Sequence, residues 1–313
     1  MYKFKEKSRV CFFGDSITRN GLYIRSIYEY YIEKLKIPCE FYNCGVSGNH
    51  TSHGIMRLEE TVLKYNPTDV VIFFGMNDVE YELYDGRPVT DDVVIKRRFA
   101  SDEALAHLKI IANRLHDNNI NLIFCTPTPY DDISDKDAPC HFGTSAALKE
   151  FGERVKLLAD NYGGNVVDFF DVFYDAMREN FRNGCSLHNE DRVHPNNEGQ
   201  ELMAQIFLRA QGFDVELTKD YHTLNKIATR SHSEWENTRY ELEQFSQSAD
   251  YVIYGVCCGV SDHERRRNMA YNLLNDDNPY IVGCAKKFLE QYDDLMAAKE
   301  KLEEHIKTVY ERL

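Results

Sequence analysis

Ser16, Asp191 and His194 are the residues from which a chemistry can be built. Ser16 stands in "CFFGDSITRNG", residues 11 to 21, where an apolar run passes straight into Gly-Asp-Ser. Such a serine is either part of an ordinary turn or a nucleophile held at the lip of a sheet. As a nucleophile it needs a base, because a free hydroxyl is too weakly acidic to attack at neutral pH. Of the eleven histidines, His194 has the telling neighbour: Asp191 precedes it by three positions in "EDRVHPN". In a turn or a helical start, side chains three apart fall on one side. The carboxylate can then take the Nδ1 proton and leave Nε2 to accept from a serine. A capped helix with a surface histidine has the same pattern, so the pair counts only together with Ser16.

Acyl transfer also needs donors for a developing oxyanion, each worth on the order of 10²- to 10³-fold in rate. Gly48 in "NCGVSGNHT" offers a backbone N–H with no side chain in the way. Asn77 in "FFGMNDV" offers an amide N–H. A turn glycine and a helix-capping asparagine are the competing readings. Position decides: Ser16, Gly48 and Asn77 each lie just past an apolar segment, where open α/β sheets bind ligands.

Those segments, "SRVCFF", "CEFYNC", "DVVIFF", "INLIFC" and "NVVDFF", read as short strands. Helical patterns over 21–36, 52–65, 101–117 and 144–162 lie between them, and another follows Pro195. Near-continuous apolar strands alternating with helices predict a parallel sheet of about five strands, covered on both faces. "CFFGDSITRNG" is then a buried first strand with Ser16 where a helix opens, the helix start favouring negative charge in the transition state. The α/β pattern ends near Gly212, giving a catalytic domain over 1–213 and an extension over 214–313.

The extension is helical in pattern. Leu224, Ala228, Ser231, Trp235, Thr238, Leu242 and Phe245 follow a 3-4 spacing, and so does a series from Phe288 to Leu313. Two long helices with a near-heptad stripe are expected, packed together, against the catalytic domain, or across a homodimer. "ADYVIYGVCCGV" between them fits either a strand or a buried helix.

"GDSIT", "NCGVSGN", "GMND" and "DRVHP", in this order, resemble the four blocks of the SGNH or GDSL hydrolase family, over about residues 8 to 212. The resemblance implies a flavodoxin-like three-layer α/β/α sandwich and ester hydrolysis with no metal or cofactor. It makes Ser16 the nucleophile, His194 the base and Asp191 its orienting partner. The oxyanion donors it implies are the backbone N–H groups of Ser16 and Gly48 and the side chain of Asn77. Asp15, Asn43 and Asp78 are expected to shape loops.

Other chemistries fit less well. Ser47 in "GVSGN" lacks the spacing of a nucleophile elbow. His50 and His53 show no metal-ligand pattern. His141 and His188 are further candidates for the pocket wall. A net charge of -14 argues against nucleic acid as a partner. No stretch reaches the roughly 20 apolar residues that span a bilayer. Nine cysteines without regular spacing and a charged N-terminus predict a cytoplasmic protein with reduced thiols. The expected substrate is a small-molecule or oligosaccharide ester carrying a short acyl group, commonly acetyl. "YELYDGRP" and "PTPYDD" would supply tyrosine faces and carboxylates for a sugar. A lysophospholipase or thioesterase is the alternative substrate class, and an assembly protein acting through its helices the alternative function.

Overall fold

Phe12 and Phe13 show how the sheet is clothed. Successive side chains of a strand point to opposite faces. The Phe12 ring packs near Tyr23 and Phe207, each at 6.0 Å. Phe13 instead meets Phe74 at 5.1 Å. Both phenylalanines are fully buried, so the strand has hydrophobic cover on both sides.

The structure is a computed structural model and describes residues 2–86 and 88–230, with Tyr271, Leu274, Asn275, Val282, Lys286 and Leu289 beyond them. Strands β1 (Arg9–Gly14), β2 (Glu40–Gly45), β3 (Asp69–Phe73), β4 (Asn121–Cys125) and β5 (Val166–Val167) form one sheet. Every pair is parallel, and the order is β2-β1-β3-β4-β5. That is the flavodoxin-like order, with its switch point beside the first strand. Helices α2 (Leu22–Glu29), α6 (Phe170–Phe181) and α7 (Asn197–Ala210) pack as one group. Helices α3 (Thr51–Thr61), α4 (Asp91–Asp117) and α5 (Thr144–Ala159) form the other. The expected three-layer architecture is the one observed.

Register aligns the carboxyl ends of the first three strands. Gly14 lies opposite both Gly45 of β2 and Phe73 of β3. Helix α1 (Ser16–Asn20) begins directly above them. A Cβ on Gly14 would stand 2.2 Å from Thr18 Oγ1 and 2.3 Å from the Phe73 carbonyl oxygen, and one on Gly45 2.3 Å from Arg19 N. Only glycine permits this approach, which seats the Ser16 turn on the strand ends.

Several elements differ from the sequence expectation. The helix expected over 21–36 starts at Ser16 and breaks at Gly21, whose φ of +74° ends α1 and opens α2. Its last turn widens to π geometry over Tyr30–Lys34. Helix α4 begins at Asp91 rather than 101, capped by the Thr90 hydroxyl and opened by Asp91 and Asp92. Its first turns escaped notice because Val94, Ile95 and Phe99 face outward and break the core-facing period. "NVVDFF" is a strand only at Val166 and Val167. The Asp168 carboxylate accepts from the Phe170 N–H at 3.2 Å, turning the chain into α6.

The first compact unit also runs past the expected end at 213, as far as Thr229. Its extra length is tied down by polar contacts. Gln205 accepts from the Thr218 N–H, and Asn180 bonds both Lys219 and Tyr221, placing helix α8 (Tyr221–Arg230) at the end of the unit. The second unit spans Arg230–Leu313. The long stripe helices and the "ADYVIYGVCCGV" segment expected there lie outside the described residues.

Candidate active site

Ser16, Asp191 and His194 come together above the sheet. Ser16 Oγ lies 2.7 Å from His194 Nε2, and His194 Nδ1 lies 2.6 Å from Asp191 Oδ2. The serine hydroxyl donates to the imidazole, whose other nitrogen donates to the carboxylate. Asp191 Oδ1 accepts from the N–H groups of Val193 at 3.0 Å and His194 at 2.9 Å. One oxygen therefore shapes the D-x-x-H turn while the other holds the imidazole. Ser186 anchors the next helix start, its carbonyl accepting from Asn196, which caps α7.

The electrostatics follow from these bonds. Burial pushes the Asp191 carboxyl up, but bonds from the His194 ring and backbone and from Val193 outweigh it and hold Asp191 well below the usual carboxylate range. Burial disfavours the His194 imidazolium. Its bond to Asp191, and the charges of Asp191 and Asp15, reverse the sign, so its pKa lies above the ordinary 6.5. The pairing stabilises the protonated form of the imidazole in place.

Asp15 is a buried cap. Its Oδ1 accepts from the Ile17 N–H at 2.9 Å, fixing the first turn of α1. Burial raises its pKa to about 7. Helix α1 has five residues, so any charge stabilisation at Ser16 comes from the local N–H groups rather than a long macrodipole. Asn43 donates to the Thr18 and Arg19 carbonyls and accepts from Gly45, bracing the same turn.

Gly48 and Asn77 reach the cleft from β2 and β3. Gly48 has φ +70°, and a Cβ there would meet nothing, so the glycine serves backbone conformation. Among the described residues no acceptor takes the N–H of Ser16 or Gly48. Asn77 donates one amide N–H to the Asn49 carbonyl at 2.9 Å, which fixes the side chain and leaves its second N–H. The Asp78 carboxylate is buried behind it and accepts from the Thr51 N–H and hydroxyl at 2.8 and 2.7 Å. Desolvation raises its pKa.

Arg57 is a part of this architecture that the sequence reading missed. It is buried, and its guanidinium donates to Asn49 Oδ1, to the carbonyls of Cys44 and Gly14, and to the Thr61 hydroxyl. It also lies 4.5 Å from the centre of the Phe13 ring. The end of β1, the end of β2 and the Gly48 loop are thereby tied to one side chain. A signal existed: Arg57 shares the core-facing period of α3 with Gly54, Leu58 and Thr61, where a charge demands partners.

Ser16, Gly48, Asn77, Tyr81, His141 and His194 line a cleft of about 420 Å³. Tyr81 and Tyr130 lie with ring planes 22° apart at 6.5 Å, and the His141 ring stands edge-on to both. Tyr84, from the same segment as Tyr81, is turned away beneath the Arg97 guanidinium. Ser47 lines the cleft, while the His194 nitrogen is taken by Ser16. His188 is buried instead, its Nε2 donating to the Pro129 carbonyl at 2.9 Å. His50 and His53 cap α3 reciprocally and line a separate cleft of about 580 Å³.

Fold and site together define an α/β hydrolytic enzyme. Residues 12–202 match the GDSL-like lipase/acylhydrolase family, and the chain belongs to it as a serine ester hydrolase. An acetylxylan esterase of Geobacillus stearothermophilus is 26% identical over 174 residues, covering 55% of this chain and 72% of the relative. A human isoamyl acetate-hydrolyzing esterase 1 homolog is 26% identical over 207 residues, covering 62% and 77%. The solved structure of a gut microbial diltiazem-metabolizing enzyme shares the fold, with a TM-score of 0.74 at 17% identity, covering 99% of this chain and 96% of that one. Among the described residues no helix is long and apolar enough to cross a membrane.

Proposed function

We propose that the enzyme removes short acyl groups, acetyl above all, from the hydroxyls of a carbohydrate, with Ser16 as nucleophile. The unbroken line from Asp191 through His194 to Ser16 Oγ, at 2.6 and 2.7 Å, carries this reading. His194 takes the serine proton as Oγ attacks the ester carbonyl, and Asp191 stabilises the imidazolium. Negative charge on the carbonyl oxygen is received by the N–H groups of Ser16 and Gly48 and by the free amide N–H of Asn77. His194 then returns the proton to the departing alcohol. Water, deprotonated by the same imidazole, releases the acid from the acyl-enzyme.

The choice of substrate rests on the cleft. Its volume suits a small molecule. Tyr81 supplies an aromatic face for the apolar side of a sugar ring, with the His141 ring beside it. Two relatives of 26% identity are named for acetate esters, one on xylan and one on isoamyl alcohol. Nine cysteines, an odd number without regular spacing, favour action as a reduced protein in the cytoplasm. The acidic chain makes nucleic acid an unsuitable partner.

Hydrolysis of p-nitrophenyl acetate, butyrate and octanoate, with acetate release from acetylated xylo-oligosaccharides, tests the reading. Turnover falling with chain length and acetate freed from the sugar are the expected results. A preference for octanoate, with no acetate from the sugar, would transfer the substrate to the lipid or thioester class.

A further inference from the structure

Arg192 stands between Asp191 and His194 with a backbone φ of +67°. A long side chain rarely adopts this conformation, which persists where the surroundings over-determine it. The over-determination is visible. Arg192 is buried, and its guanidinium donates to four carbonyl oxygens of one loop: Ala138 at 2.8 Å, Asp131 at 3.0 Å, Ser134 at 2.8 Å and Lys136 at 2.9 Å. The Asp131 N–H returns a bond to the Arg192 carbonyl at 2.9 Å. Lys136 reaches the opposite way, donating to the carbonyls of His188 and Asn189 while paired with Asp131 at 3.0 Å.

The two segments joined in this way have different duties at the cleft. Residues 129–141 supply Tyr130, Pro139 and His141 to its wall, and residues 191–194 supply the acid–base pair. The left-handed turn lets Asp191 and His194 address Ser16 while the side chain between them enters the neighbouring loop. Glycine would satisfy that φ without strain, but would join nothing. Lysine would keep the charge, yet a single ammonium cannot span four carbonyls.

We infer that Arg192 is a positioning residue that holds the Asp191–His194 pair and the Tyr130–Pro139–His141 wall as one body. It thereby sets the place of the substrate's alcohol portion relative to the base. The inference rests on the roles proposed for Ser16, His194 and Asp191.

The test is Arg192→Gly and Arg192→Lys, with folding checked by circular dichroism and Ser16→Ala assayed alongside. Displacing the wall or the base by an ångström costs about 10²-fold, so Arg192→Gly should lose that much in kcat/KM, with both kcat and KM affected. Guanidinium chloride at low millimolar concentration should restore part of the loss, and Arg192→Lys should fall between. The acid limb of the pH profile gives an independent sign. The charged groups facing His194 are Asp191 on its own loop and Asp15 from the β1–α1 turn, with Tyr81 and His141 also lining the cleft. Simple loss of the Arg192 cation would move the limb to higher pH, whereas a loosened Asp191–His194 bond moves it lower. The lower limb is expected. A folded Arg192→Gly within about threefold of wild type overturns the inference, as does a deeper loss with the limb unmoved or raised and no response to guanidinium. Should the glycine variant fail to fold, Arg192→Lys is read by the same limb and the same kcat and KM split. Full activity of Ser16→Ala would be a different failure, removing the site reading itself.

Discussion

His194 Nε2 lies 2.7 Å from Ser16 Oγ although 178 positions separate the two residues in the chain. The contact is made by the first strand and the last loop before α7, so it exists only when the whole α/β unit is assembled. Ser16→Ala should lower turnover of p-nitrophenyl acetate by about 10³-fold or more, while the circular dichroism melting curve stays near that of wild type. The hydroxyl is half-buried and makes one strong bond, so its removal costs little stability. Retained turnover would move the nucleophile elsewhere.

Asn77→Ala removes the proposed oxyanion donor and also the bond to the Asn49 carbonyl. A loss of about 10²- to 10³-fold in kcat, with a much smaller change in KM, is expected from steady-state kinetics. A change confined to KM would make Asn77 a substrate-binding group instead.

The acid limb of kcat/KM should lie above pH 6.5, because the Asp191 bond and the charges of Asp191 and Asp15 raise the His194 pKa against the pull of burial. In the proposed mechanism His194 must be neutral to accept the serine proton, so activity is expected to fall as pH drops through that value. Asp191→Asn removes the main raising cause. The limb should move to lower pH and the plateau rate should fall by about 10³- to 10⁴-fold. A pH–rate series on both proteins checks the direction, and an unmoved limb would assign it to another group.

His188 governs a separate pH response, one of stability. Burial lowers its pKa from 6.5 to about 4, so the unfolded chain binds the proton more readily across that window. Stability is full above pH 6.5 and declines as pH falls toward 4. Below that, Asp131 takes over. Its burial is outweighed by His188, Lys136 and the Ser134 N–H, which hold it at about 2 against 3.8 when unfolded, and its share is lost as pH falls from 3.8 toward 2. That share is roughly 2 kcal/mol. Thermal melts from pH 8 to pH 2 should show both segments, and His188→Gln should remove the upper one and weaken the lower, because His188 leads the groups that hold Asp131 low.

Much of the site was legible because its parts are short blocks at strand ends. Gly14 to Ser16, Gly48 and Asn77 follow apolar segments whose strand character was plain, and parallel order brings such ends together. The D-x-x-H turn was legible for a local reason: Asp191 bonds residues only two and three positions away. Arg57 and Arg192 were not legible. Each acts by donating to carbonyls far along the chain, and a carbonyl carries no sequence signature. In the fold, α6 was hidden because Phe169 and Phe170 extend an apolar run that began as strand. The outward Val94 and Ile95 concealed the start of α4 in the opposite way, by placing apolar residues where a helix face was expected to be polar.

The pairing of Gly14 with Gly45 and Phe73 makes strand length a ruler for the enzyme. Each residue of a strand advances the chain by about 3.3 Å and reverses its facing. One residue inserted into β1 would carry Ser16 beyond the reach of His194 and exchange the cover of Phe12 for that of Phe13. Insertions of the same size in the connections entering the strands, near Pro38, Pro67 or Asn119, do not propagate in this way. Natural or engineered variation in length should therefore accumulate at the entrance edge of the sheet and be absent from the strands themselves.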